Sequence, residues 1–211
     1  MSVLKIRLLT CCSAILALSM LSTVAAAGDS WLLRLRGIHM SADVSSTVDP
    51  IGGSVDVNSD TVPEFDITYF FTDNIAAELI LATTRHRANV TGSTLGNVDL
   101  GKVSMLPPTL TLQWHFLPGE DFRPYVGAGL NYTFFYDESA PRGTVASINY
   151  ENNFGYALQT GLDYGIDDHW GINVDIKKVF LSTDVTLNGG AITADVDLDP
   201  WIFGLGVAYR F

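Results

Sequence analysis

The twelve residues that close the chain, Pro200 to Phe211, read PWIFGLGVAYRF and alternate without a break. In an extended strand, successive side chains point to opposite faces. Trp201, Phe203, Leu205, Val207, Tyr209 and Phe211 therefore share one face, and Ile202, Gly204, Gly206, Ala208 and Arg210 share the other. One side is wholly apolar and aromatic; the other is mostly small, with a charge near its end. A strand in the core of a soluble sandwich usually turns its outer face polar. This one needs an environment in which the aromatic side meets something other than water.

The opposite end of the chain says where that environment lies. Lys5 and Arg7 precede an apolar run from Leu8 to about Val24, and Ala25-Ala26-Ala27 offers a small-residue cleavage site. This is the pattern of a secretory signal peptide, expected over residues 1–27, with one mature domain over residues 28–211. Cys11 and Cys12, the only cysteines, both fall in the leader. The processed chain is then free of disulfides, thiol catalysis and thiolate metal sites. Removing the leader leaves ten basic against 23 acidic side chains. Nucleic acid is an unsuitable partner, because phosphate contacts need Lys and Arg. No mature segment reaches the roughly 18 apolar residues of a membrane helix. A closed barrel is the other structure that satisfies its backbone within a bilayer.

Further alternating segments supply the remaining strands. They are expected at Ser30 to Met40, Val62 to Phe71, Ile75 to about Arg85, Thr109 to Phe116, Phe122 to about Phe135, Phe154 to Gly165, and from Trp170 onward. Short turns fall at Thr72–Asn74, Leu117–Asp121 and Ile166–His169. Long polar connections are read as loops at residues 41–61, 86–104, 136–153 and 182–199. Long and short connections strictly alternate, which is the pattern of an up-and-down transmembrane barrel with brief periplasmic turns and extended outer loops. The expected fold is thus all-β, an eight-stranded antiparallel transmembrane β-barrel. It also sorts the tryptophans: Trp31, Trp114 and Trp170 to the periplasmic end and Trp201 to the outer end, as interfacial girdles require. A secreted soluble barrel would instead turn polar side chains outward and apolar ones inward.

A barrel of eight strands is about wide enough for its own side chains. Arg34, Glu78, His115, Arg123, Asp163 and Arg210 are expected to point inward near the periplasmic end, where opposite charges should pair. They read either as a polar plug that stops axial passage or as the ordinary filling of a small barrel. Inward Gly127, Gly129, Gly155, Gly161, Gly204 and Gly206 either leave a cavity or admit the arginines and Tyr125. Val55, Val57, Leu95, Val103, Met105 and Leu106 in the outer connections either line an apolar entrance or pack the loops together. The histidines at 39, 86, 115 and 169 are scattered without metal-ligand spacing. No catalytic, metal or cofactor site is expected.

Four segments carry a family resemblance: TDNIAAEL (Thr72 to Leu79), LPPTLTLQWHF (Leu106 to Phe116), FRPYVGAGLNYTFF (Phe122 to Phe135) and LDPWIFGLGVAYRF (Leu198 to Phe211). They resemble the outer membrane protein W family, which includes alkane-uptake relatives, in order and over most of the mature chain. The long outer segments match least. The resemblance implies a narrow, hydrophobic outer channel and passive entry of small apolar molecules. It also implies integral residence in the bacterial outer membrane, among lipid and lipopolysaccharide. A terminal aromatic signal, Tyr209 and Phe211 here, would be read by the barrel-assembly machinery.

Joined to the plug, that role suggests a route in which an apolar solute enters through the loops, meets charges it cannot pass and leaves sideways. Pro107 and Pro108 are the candidate exit, since together they withhold two ladder donors; the other reading is that they only end a loop. Two other classes compete: a structural or adhesive barrel without transport, and a lipid-modifying barrel enzyme, for which no Ser, His and acidic constellation is visible.

Overall fold

The computed structural model describes residues 30–139 and 147–211. The expected leader, residues 1–27, lies outside the described residues. The described chain forms β1 (Trp31–Ser41), β2 (Ser45–Asp49), β3 (Ser54–Val57), β4 (Asp60–Phe70), β5 (Ile75–Ala82), β6 (Thr84–Ser93), β7 (Gly96–Leu106), β8 (Thr109–His115), β9 (Phe122–Ser139), β10 (Ile148–Tyr150), β11 (Asn153–Gly165), β12 (Trp170–Phe180), β13 (Ser182–Leu187), β14 (Ile192–Asp197) and β15 (Trp201–Arg210).

Eight of these close into an antiparallel barrel in the order β1, β4, β5, β8, β9, β11, β12, β15 and back to β1. The closing seam pairs Leu32 with Arg210 at one end and Ser41 with Trp201 at the other, so no edge is left in that stretch. Closure matters because an unpaired backbone group in hydrocarbon has no water to turn to. The alternation has the phase read from the sequence. Leu112, Leu130, Phe154 and Leu205 stand more than 60 % exposed on the outside, while Arg34, Glu78, Gln113 and Asp175 are buried within. An apolar outer surface of this extent is suited to lipid rather than water.

Where they are described, the four long connections contain strands rather than the expected loops, and residues 140–146 lie outside the described residues. β6 and β7 form a hairpin with a bulge between Ala88 and Asn89. β13, β14 and β2 form a small sheet with β10 at its other edge. β9 runs on to Ser139 and pairs with β7 beyond the barrel proper. Asp, Asn, Gly and Thr dominate these segments and read as turn-formers. The period of two is nonetheless present: Thr183, Val185 and Leu187 point inward while Asp184 faces solvent. The inward faces of the two extensions meet in one apolar core containing Val48, Val55, Val90, Leu100, Val185 and Val196, which continues down to Ile38, Val179 and Ile202 inside the barrel. The barrel is therefore polar in its lower half and apolar above.

Candidate functional site

The lower half is a buried ion network. Arg34 donates from Nε and Nη2 to the two carboxylate oxygens of Asp163, at 2.9 and 2.6 Å, and from Nη1 to Asp66 and Glu78, both at 3.1 Å. Arg36 lies 2.9 Å from Glu64, 2.7 Å from Asp66 and 3.1 Å from Glu78. Lys177 bridges Glu64 and Asp175, each at 2.8 Å. Gln113 and Gln159 donate to Glu78 at 2.7 and 2.8 Å. Each charge has several partners, as burial demands. Tyr125 crosses this layer and donates to Asp175 at 2.7 Å. His115 stacks on Tyr125, with ring centroids 4.9 Å apart.

Glycine makes room for that crossing. A Cβ on Gly161 would collide with the Tyr125 ring, and one on Gly206 would stand 2.8 Å from the Arg36 Cγ besides striking the backbone of β1. At these two positions the inward glycines admit large side chains rather than leave a void.

The structure buries Arg34, Glu78, His115 and Asp163 inside the barrel. Arg123 and Arg210 sit half-buried at the periplasmic end. Both line an open vestibule of about 850 Å³ together with Phe70, His115, Asp167 and His169, and the Arg210 guanidinium lies 4.3 Å over the Phe70 ring. The network also holds Arg36, Glu64, Asp66, Asp175 and Lys177, which the sequence reading left out. Their signal was visible, since each shares its strand's inward face. What was missing was the register: Arg34 opposite Asp66 and Arg36 opposite Glu64 are pairs between β1 and β4, whose long connection conceals the alignment.

Above the network are two small apolar cavities. The inner one, about 40 Å³, has Glu64 and Lys177 among its lining residues and is otherwise bounded by groups such as Ile38, Ile80, Pro107, Val179 and Ile202. The outer one, about 30 Å³, is lined by Val55, Val57, His86, Val103, Met105 and Tyr150 among others. Met105 borders both. The inner cavity and the vestibule share no lining residue, because the ion network stands between them. Of the six loop hydrophobes, four line these cavities. Leu106 is half-buried outside them, and Leu95 is exposed at the hairpin tip.

At Pro107 the ladder is interrupted. β5 and β8 pair as far as Ile80 with Thr109, and pairing resumes between β6 and β7 at Thr84 with Met105. Leu81–Thr83 and Leu106–Pro108 therefore face each other without a paired register. On the other side Pro108 stays bonded, its carbonyl accepting from the Tyr132 amide at 3.1 Å, and Asn131 Nδ2 donates to the Pro107 carbonyl at 3.2 Å.

A closed eight-stranded barrel with an apolar exterior, a charged and filled lower half and outward β-extensions defines a small integral protein of the bacterial outer membrane. Residues 30–211 match the model of the OmpW family, and the chain belongs to that family. It is 45 % identical to the uncharacterized outer-membrane protein y4mB of Sinorhizobium fredii, over 89 % of this chain and 82 % of that one. It is 37 % identical to outer membrane protein W of Vibrio cholerae, over 74 % and 76 %. The crystal structure of OprG from Pseudomonas aeruginosa superposes with a TM-score of 0.81 at 29 % identity, covering 87 % of this chain and 96 % of that one.

Proposed function

We propose that the protein gives small apolar molecules a passive path from the cell exterior into the outer membrane. The observation that carries this reading is the inner cavity, whose lining includes charged Glu64 and Lys177 as well as Pro107 at the interrupted ladder. A solute crossing the outer β-extensions reaches an apolar space. Going further down would strip it into a layer of buried charge, which an apolar molecule cannot solvate. Sideways, the backbone between Leu81–Thr83 and Leu106–Pro108 has few hydrogen bonds to break, and lipid lies outside it. The polar network, from Arg34, Glu78, His115 and Asp163 to the flanking Arg123 and Arg210, acts as the plug. Pro107 and Pro108 act as the lateral gate. Lipid and lipopolysaccharide surround the exit, and small hydrophobic solutes are the cargo.

Replacing both prolines with Val or Thr tests the gate. Uptake of an apolar solute should fall severalfold in a correctly inserted barrel, and undiminished uptake removes the sideways exit. Tyr209 and Phe211, which pack edge to face at 5.0 Å, serve in this reading as the signal to the assembly machinery. Deleting Phe211 should slow insertion without altering the fold of the molecules that do insert; insertion at the normal rate refutes that role.

A further inference from the structure

Five buried side-chain nitrogen or oxygen atoms have no hydrogen-bond partner among the described residues: Arg36 Nε, Asp66 Oδ2, Thr84 Oγ1, His86 Nε2 and the Tyr150 hydroxyl. The first two lie in the ion network, within 2.9 Å of Glu64 and 2.7 Å of Arg36. The other three belong to residues that line the apolar cavities, His86 and Tyr150 the outer one and Thr84 the inner one. An unsatisfied buried polar group is destabilising, and native proteins retain few of them. Three along one apolar path call for an explanation.

Their chemistry is specific. His86 is 2 % exposed, and its Nδ1 lies 2.8 Å from the backbone carbonyl of Asn58. A carbonyl only accepts, so Nδ1 holds a proton toward Asn58, and in that tautomer Nε2 is an acceptor. His86 is among the residues that line the outer cavity. Tyr150 stacks on Phe135 at 5.5 Å, and burial with Glu138 nearby pushes its phenol pKa upward. It therefore remains a hydroxyl that can donate. Thr84 and His86 are two residues apart on the same inward face of β6, which places the next free hydroxyl one step further in.

We propose that the path selects small apolar molecules carrying one hydroxyl group, alcohols or phenols, and that His86 and Tyr150 bind this group in the outer cavity. The inference rests on the uptake reading and names its cargo. A hydroxyl donates to His86 or accepts from Tyr150, whereas a hydrocarbon uses neither. A site built to hydrogen-bond a hydroxyl disfavours the analogue that lacks it, because its own groups then stay unpaired. The cavity of about 30 Å³ takes the hydroxyl end. The apolar body extends past Met105, whose unbranched side chain swings readily, toward the inner cavity and Thr84. Water is the competing occupant, since this volume suffices for one molecule.

The test uses the full mature chain in lipid nanodiscs with ¹⁵N-histidine, and 4-ethylphenol and ethylbenzene as shape-matched probes. The Nε2 resonance of His86, assigned by its loss in His86→Phe, should move saturably with 4-ethylphenol and stay in place with ethylbenzene. Tyr150→Phe, which removes a single oxygen, should weaken 4-ethylphenol binding about five- to tenfold, the worth of one hydrogen bond. Equal responses to both probes, no response to either, or an unchanged affinity in Tyr150→Phe overturns the proposal and leaves water as the resident of the cavity. Failure of the uptake reading is separately visible: the wild-type barrel would then pass neither probe in a vesicle assay, whatever the binding spectra show.

Discussion

Arg34 on β1 and Asp163 on β11 meet across the barrel interior through two parallel hydrogen bonds, Nε to Oδ1 at 2.9 Å and Nη2 to Oδ2 at 2.6 Å. They are 129 positions apart in the chain, and their strands are not neighbours in the barrel. The fork-to-carboxylate geometry fixes orientation as well as charge, so the pair ties one wall to another. Removing Arg34 alone takes both forked hydrogen bonds from Asp163 and one of two arginine partners each from Asp66 and Glu78, all of them buried carboxylates. Arg34→Met should lower stability by about 3–5 kcal/mol, the usual penalty for breaking one partner of a buried ion pair. Urea unfolding in lipid vesicles measures it. The double variant with Asp163→Asn should recover part of the loss, and Arg34→Lys should fall between, keeping the charge but not the fork.

Gly161 and Tyr125 make a second prediction. The tyrosine ring occupies the space a Cβ at position 161 would take, and the Val174 carbonyl stands 2.8 Å from the same point. Gly161→Ala must displace one or the other, with a loss of roughly 1–3 kcal/mol from overpacking. The shift of Tyr125 should also disturb its bond to Asp175. Equilibrium unfolding reports the first effect, and the Tyr125 ring resonances report the second. Unchanged stability would mean that the ring has another resting place.

Met105 lines both apolar cavities, so truncating it should join them. Met105→Ala is expected to lower stability by about 2–5 kcal/mol, as large-to-small core changes do. It should also raise the relative uptake of wider solutes over slim ones. Met105→Leu, of similar volume, should leave both properties near wild type. Competition between a linear and a branched hydrocarbon in an uptake assay separates the variants.

The periplasmic turn carries a pH dependence. The Asp167 carboxylate accepts the His169 amide at 2.9 Å and the Trp170 amide at 2.7 Å, and these donors hold its pKa below the ordinary value. Because the folded value is depressed, the turn's contribution is complete above the free carboxylate's pKa of about 3.9 and disappears as pH falls through the lowered value. The Trp170 amide resonance should follow that titration. In Asp167→Ala it should be flat with pH; a persistent titration there would assign the effect to another group.

The strand faces were legible in the chain because a period of two needs no tertiary information. Trp201 through Phe211 and their counterparts on the other strands face outward as read, and the short turns fall where Asp, Asn, Gly and Pro cluster. The outer segments were misread as loops. Their alternation, as in Thr183, Val185 and Leu187, is masked by turn-forming neighbours, and their partners lie far away, β14 with β2 for example. The buried ion network was half legible: Arg34, Glu78, His115 and Asp163 stood out, while Arg36, Glu64, Asp66, Asp175 and Lys177 did not. His86 and Tyr150 gave no signal at all, since an unpartnered atom is defined only by what surrounds it.

By itself, then, the sequence determined which side of each strand is apolar, where the chain turns back and that the ends must close, because alternation and turn chemistry are local. Tertiary structure alone decided the register. Register places Asp66 beside Arg34, sets Gly161 under Tyr125, opens the ladder at Pro107 and leaves His86 facing an apolar space. The reason is that a pair's distance depends on how strands slide past one another around the closed wall, and no single strand records that.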